Sequence, residues 1–318
     1  MVRFSDGWRG MVKKQMVRKQ IYVAMFVLMA LLVLPKYSLG WQKKERIKYV
    51  FSITRGKDFG SFGLLGSVFF SEQKQRLYVA DATNNRILSF GADFNFLAEF
   101  NADGALSYPV SIVRDKRGRL FLSEPSRGQV LVVSLVKHAI SPLDFSGIPS
   151  ENNIYPGNLA IDVSGKLYVV DKANQRILIF DADLKFKKQI LVKYGRGLED
   201  VKVDDNGFVY TLSTVDGKIC IFDKEGKLVF SFGKRGNGHG EFLFPVSLAI
   251  GPDGLIYVLD RHKSKVMVFN KKGQFMFEFS EFGWREGRLY LPSYLYINRA
   301  GQIFIVDQGN NRISIFQE

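Results

Sequence analysis

The chain has 318 residues, 46% hydrophobic and 24% charged, a composition that excludes global disorder, a collagen-like rod and a polytopic membrane protein. Its single cysteine, Cys220, excludes an intramolecular disulfide framework and a cysteine-rich zinc or iron–sulfur centre. The formal charge of +14 is uneven: residues 1–48 carry a net +9 and residues 49–318 only +5, so the body lacks the charge of a nucleic-acid binder and no nucleic-acid partner is expected.

Arg3, Arg9, Lys13, Lys14, Arg18 and Lys19 precede an apolar run of 14 residues, Ile21–Leu34. That is short of the roughly 20 residues of an ordinary spanning helix and within the length of an export-signal core. Two readings stay open, beside that of a buried core helix. One is a signal-anchor helix, extended toward the interface by Tyr37, Leu39 and Trp41. The other is a signal peptide cut near Gly40, where Ser38 and Gly40 supply small residues. Both divide the chain into a basic cytoplasmic tail (1–20), a membrane or export segment (21–41) and an extracytoplasmic body (42–318). The protein is expected at the cell membrane as a single-pass protein, or secreted or periplasmic after cleavage.

The body repeats. Tyr78, Phe121, Tyr168, Tyr210, Tyr257 and Phe304 recur at spacings of 43, 47, 42, 47 and 47 residues, each inside a β-type run such as LYVAD or IFIVD. Three residues before the aromatic stands Gly118, Gly165, Gly207, Gly254 or Gly301, with Gln75 in the first repeat. Such glycines suit turns that need positive φ. Twelve residues before it stands Pro109, Pro156, Pro245 or Pro292, tolerated at a strand start but not inside one. One unit reads as strands at 247–250, 255–260, 265–269 and 274–279.

Four-stranded antiparallel units of this length are propeller blades, and stacking them accounts for the 28 phenylalanines as core. The fold class is all-β: a six-bladed β-propeller with one N-terminal hydrophobic helix. The blades fall at about 60–100, 101–145, 146–194, 195–232, 233–279 and 280–318. The last lacks an outer strand, and 47–53 (IKYVFSI) is the spare one, so the N-terminus closes the ring.

The stretches 78–90 (YVADATNNRILSF), 168–180 (YVVDKANQRILIF) and 304–316 (FIVDQGNNRISIF), with the glycine-rich link 232–245, resemble the NHL-repeat family of six-bladed propellers. The resemblance covers about residues 47–318 and implies a fold far more than an activity. Amidating lyases that resemble NHL propellers hold a metal with histidines from several blades. His138, His239 and His262 do not supply that set, and the last two read as surface residues.

The pairs Asp81/Arg86, Asp171/Arg176 and Asp307/Arg312, with Asp260/Lys265 as a variant, recur across the loop between second and third strands. Their repetition marks them as structural pins. Inner-strand starts carry Val68, Ser111, Asn158, Asp200, Ser247 and Tyr294 near the channel mouth, and the polar ones are ligand-binding candidates. Glu199 and Asp200, with Asn158, form a candidate calcium site of the lactonase or esterase type, the alternative being a rim pair neutralised by Lys202 or Arg196. Cys220 reads as a buried small hydrophobe, or as a lone exposed thiol. Lys234, Arg235, His239, Trp284, Arg285 and Tyr290 occupy the two longest inter-blade loops, and such aromatic and arginine side chains anchor protein contacts. The expected role is a monomeric protein-binding, scaffold or sensor module without a cofactor, calcium-dependent hydrolysis being the alternative.

Overall fold

The computed structural model describes residues 47–317 apart from 135, 136 and 138. The basic tail, the hydrophobic helix expected in 21–41 and His138 lie outside the described residues. Within them no α-helix forms, and no helix is long and apolar enough to cross a membrane.

Six four-stranded antiparallel sheets form the blades. An outer strand, β1 (Lys48–Ile53), comes first. Blade 1 is β2 (Leu65–Ser71), β3 (Arg76–Asp81), β4 (Arg86–Phe90) and β5 (Phe96–Phe100). Blade 2 is β6 (Ser111–Arg114), β7 (Arg119–Glu124), β8 (Gln129–Ser134) and β9 (Ala139–Pro142). Blade 3 is β10 (Pro156–Ile161), β11 (Leu167–Asp171), β12 (Arg176–Phe180) and β13 (Phe186–Leu191). Blade 4 is β14 (Leu198–Val203), β15 (Val209–Ser213), β16 (Lys218–Phe222) and β17 (Leu228–Phe232). Blade 5 is β18 (Pro245–Ile250), β19 (Ile256–Asp260), β20 (Lys265–Phe269) and β21 (Phe275–Phe279). Blade 6 is β22 (Tyr294–Ile297), β23 (Gln302–Asp307) and β24 (Arg312–Gln317), completed by β1, which pairs antiparallel with β24 from Lys48↔Gln317 to Ile53↔Ile313. In each blade the strands are called A to D from the channel outward.

Middle strands such as β11 and β12 are buried along their whole length because a neighbouring blade covers each face. Six apolar clusters result, one per seam. Phe90, Phe121, Phe180 and Phe304 are among the most deeply buried side chains. Ile53 belongs to the seam between blades 6 and 1, where Phe70 stacks on Phe304 at 5.9 Å, and Ile47 to the seam between blades 5 and 6. The A–B turns adopt positive φ where glycine was expected, 88° at Gly118 for example, and Gln75 takes the same conformation at 47°.

Cys220 is fully buried on β16, and its thiol donates to the Tyr194 carbonyl at 3.2 Å. Burial pushes the thiol up to about 11. The exposed-thiol reading therefore fails, because blades 3 and 4 close over the side chain. Iodoacetamide at pH 8 should label Cys220 only after denaturant is added, since thiolate is the reactive form. Rapid labelling of the folded protein would contradict this packing.

Candidate functional site

The inner strands enclose a channel, and the register of the ladders corrects one position. Pairing aligns Phe69 opposite Tyr78 with Val113 opposite Phe121. The A–B turn of blade 1 is thus one residue longer than that of blade 2, and the residue equivalent to Ser111 is Ser67, not Val68. The six equivalent positions are Ser67, Ser111, Asn158, Asp200, Ser247 and Tyr294, all polar or hydroxyl-bearing.

Four of them stitch blades together rather than lining an open mouth. Ser67 Oγ accepts from the Ile112 amide at 2.9 Å, Ser111 Oγ from Leu159 at 3.0 Å, Asp200 Oδ2 from Leu248 at 2.9 Å and Ser247 Oγ from Leu295 at 3.2 Å. In each case the acceptor belongs to one blade and the amide to the next. Ser111 and Ser247 are fully buried, so these two candidates are structural staples. Asn158 instead donates to the Glu199 carbonyl at 3.2 Å.

Asp200 is the most heavily used of the six. It also accepts from the Val201 amide at 2.9 Å, the Ser247 hydroxyl at 2.8 Å, and Lys202 Nζ at 2.6 and 2.7 Å. Lys202 Nζ lies 4.9 Å from the centre of the Tyr294 ring. Burial draws the Lys202 ammonium below the ordinary lysine range, with Asp200 acting in the opposite direction. Burial raises the Tyr294 phenol, and the Asp200 charge adds to it.

Glu199 leans the other way, pairing with Lys172 Nζ of blade 3 at 2.6 Å. The three residues of the calcium reading are thus sent to different partners, Glu199 standing in a β-bulge between the ladder residues Leu198 and Asp200. Among the described residues no group of three or more His, Cys, Asp or Glu side chains is arranged to hold a metal. Arg196 pairs with Asp216 at 3.0 Å, leaving Lys202 as the neutralising partner of Asp200.

Tyr294 divides the channel. On the D–A loop side a cavity of about 230 Å³ is lined by Asn158, Lys172, Glu199, Tyr108 and Tyr155. On the A–B turn side a larger one, about 760 Å³, is lined by Phe69, Arg114, Ile161, Lys202, Tyr296 and Arg299 among others. Sequence reasoning directed attention to strand starts and so missed this second end. One signal was present: Arg114 stands where the other ladders place Phe70, Ile161, Val203, Ile250 and Ile297.

The recurring pairs hold the D–A loops. Arg86, Arg176 and Arg312 set Nε on Asp81, Asp171 and Asp307 at 2.8, 2.7 and 2.8 Å. Each arginine also grips loop carbonyls: Ser61 for Arg86, Pro149 for Arg176, and Arg285 and Arg288 for Arg312. The variant pair does not form. Asp260 accepts from the Leu243 and Phe244 amides, while Lys265 turns to Glu278, because its single ammonium lacks the guanidinium fork. Even with its Arg312 partner, Asp307 is held above the usual carboxylate range by burial.

The two longest loops carry the other candidates. Lys234 pairs with Glu241 at 2.7 Å, and Arg235 donates to the Val215 carbonyl at 3.1 Å. His239 is exposed and packs against the Phe275 ring at 6.1 Å. In the loop before blade 6, Phe282, Trp284 and Tyr290 form an aromatic cluster with centroids 5.3, 5.5 and 6.0 Å apart, beside exposed Arg285. Trp284 is 67% and Phe282 52% exposed.

A family model described as a 6-bladed beta-propeller (DUF5128) matches residues 196–280. The whole described body has this architecture: it is a six-bladed β-propeller. Among solved structures it is similar to a streptogramin B lyase, at 12% identity and a TM-score of 0.63, covering 87% of this chain and 99% of that one. An auxiliary nutrient binding protein from Bacteroides ovatus gives 12% identity and a TM-score of 0.65 over 85% of this chain and 76% of that one. A putative gluconolactonase gives 10% identity and a TM-score of 0.64 over 89% and 95%. At these identities the likeness is one of fold. No curated protein matches the sequence.

Proposed function

We propose that this protein is a binding module rather than an enzyme: an NHL-type propeller held outside the cytoplasmic membrane through its N-terminal segment, docking a protein partner on its D–A loop face. The observation that carries the reading is the aromatic cluster of exposed Phe282 and Trp284 with half-buried Tyr290. Large aromatic side chains clustered in a loop and flanked by arginine are typical anchors of protein contacts. The loop is also pre-organised. Arg312 grips its carbonyls, Asp307 accepts from the Tyr290 amide at 2.8 Å, and Asn310 donates to the Gly283 carbonyl at 3.0 Å. Rigid presentation lowers the entropy cost of association.

The test is crosslinking of the tagged full chain in its own membranes, comparing wild type with the Phe282→Ala/Trp284→Ala double variant. A stoichiometric adduct that falls at least tenfold in the variant, with an unchanged melting temperature, is the expected result; loss of about 2 kcal/mol or more is usual for such anchors. An adduct of equal yield in both would move the docking surface elsewhere.

A further inference from the structure

We propose that the larger cavity, at the A–B turn end of the channel, binds a small monocarboxylate through Arg114. The site lies at the opposite end of the channel from the D–A loops and does not depend on the docking role given to them.

Arg114 ends β6 and is only 9% exposed, yet it forms no ion pair within the described residues. Its Nη1 reaches the Ser71 hydroxyl and the Gln73 side-chain oxygen at 3.4 Å and the Asp115 carbonyl at 3.5 Å, all at the long limit for a hydrogen bond. Its Nε–H is buried with no acceptor, and Nη2 donates to none of the described residues. Nε and Nη2 form one edge of the guanidinium, the edge that receives the two oxygens of a carboxylate side by side; Nε has no exposed surface here and Nη2 lies against Gly118, so the guanidinium turns toward the cavity to present that edge to a ligand.

Among the described residues the other two buried arginines, Arg176 and Arg312, use that edge, as do partly buried Arg86 and Arg119. Arg86, Arg176 and Arg312 place Nε on an aspartate, and Arg119, five residues along, does so on Asp115 at 2.6 Å. Asp115, the nearest carboxylate in sequence, is therefore already committed. A buried guanidinium that lacks an acceptor is costly, and arginine does not escape the cost by losing its proton. The equivalent residues of blades 3 to 6 are aliphatic, so the ladder itself has no need of a charge here.

The surroundings select the kind of anion. Phe69, Ile161, Ile250, Ile297 and Tyr296 are partly buried and turn apolar surface to the same cavity. Its volume, about 760 Å³, lies in the range of small-molecule sites. Six acidic side chains, Glu72 and Asp162 among them, line it beside five basic ones, a balance that disfavours a dianion such as phosphate more than a single carboxylate. One carboxylate on an apolar body fits all three features.

The experiment is ligand-observed NMR with the propeller-bearing full chain, using benzoate, phenylacetate and hexanoate against their neutral amides and inorganic phosphate. At least one acid should bind saturably with a dissociation constant at or below about 1 mM, while its amide and phosphate bind at least tenfold more weakly. Arg114→Gln should weaken that acid roughly tenfold or more, and Arg114→Lys, which keeps the charge but not the fork, should weaken it nearly as much. Arg196→Gln, outside this cavity and paired with Asp216, should change binding less than threefold. Absence of saturable binding by all three acids, equal binding of acid and amide, tighter binding of phosphate, or full retention of binding in a folded Arg114 variant would each overturn the proposal. The wild-type comparison of acid with amide decides the matter even if the substitutions unfold the chain.

Discussion

A propeller shortened to residues 55–318 should melt far below one that begins at residue 42. The shorter chain lacks β1, which pairs with β24 through Lys48, Tyr49, Phe51, Ser52 and Ile53. Ile53 is buried with Val306 and Ile315 in the seam between blades 6 and 1, and Ile47 with Phe316 in the seam between blades 5 and 6. Partly buried Phe51 and Tyr49 pack onto the same two clusters. Removing this one strand therefore exposes apolar surface in two seams and leaves β24 as a bare edge. With about 1.5–3 kcal/mol for each fully buried large apolar side chain, the loss is about 5 kcal/mol or more. A ring of this size should then melt about 10 °C or more lower. Differential scanning calorimetry on the two fragments makes the comparison, and coincident transitions would show that β1 is an ornament and not the closure.

The closure was legible because it leaves two traces in sequence: a repeat that stops after its third strand, and an unassigned strand-like stretch at the other end. The blades were legible for a similar reason, since the glycine turns, the aromatic and the Asp/Arg pair are local features repeated at fixed offsets. What was not legible depends on geometry across seams. The staples at Ser67, Ser111, Asp200 and Ser247 cross four of the six seams, and no offset within one repeat reveals the amide they bond. Counting back from Tyr78 also misplaced the first of them, because the extra residue in the A–B turn of blade 1 changes the count but not the ladder. Glu199 and Asp200 looked like a pair of free carboxylates because they are adjacent in sequence. The β-bulge at Glu199 separates them, and one goes to Lys172 and the other to Lys202. Arg114 is the converse case: its departure from four aliphatic equivalents was visible, and only the cavity beside it gives the departure a meaning.

Removing Asp200 alone should cost more than replacing Asp200 and Lys202 together. Asp200→Ala removes five acceptor contacts, strands the Lys202 ammonium against the Tyr294 ring and frees the Leu248 amide in the seam. Leaving one partner of a buried ion pair alone typically costs about 3–5 kcal/mol. Lys202→Met should cost less, about 1–3 kcal/mol, because the Asp200 carboxylate keeps the Val201 and Leu248 amides and the Ser247 hydroxyl. The protein itself supplies the double replacement. In blade 2 the same two positions are Ser111 and Val113, with a serine staple and an aliphatic neighbour. Asp200→Ser combined with Lys202→Val copies that arrangement into blade 4, restores a staple for Leu248 and leaves no charge behind. The double variant should lie within about 1–2 kcal/mol of wild type, since buried ion pairs replaced by well-packed groups are often near neutral. Urea midpoints of wild type, Asp200→Ser, Lys202→Val and the double variant measure the coupling. If the double variant loses the sum of two costly singles, the ion pair is not what makes either residue indispensable, and the channel constriction must depend on the length of the lysine chain over Tyr294 instead.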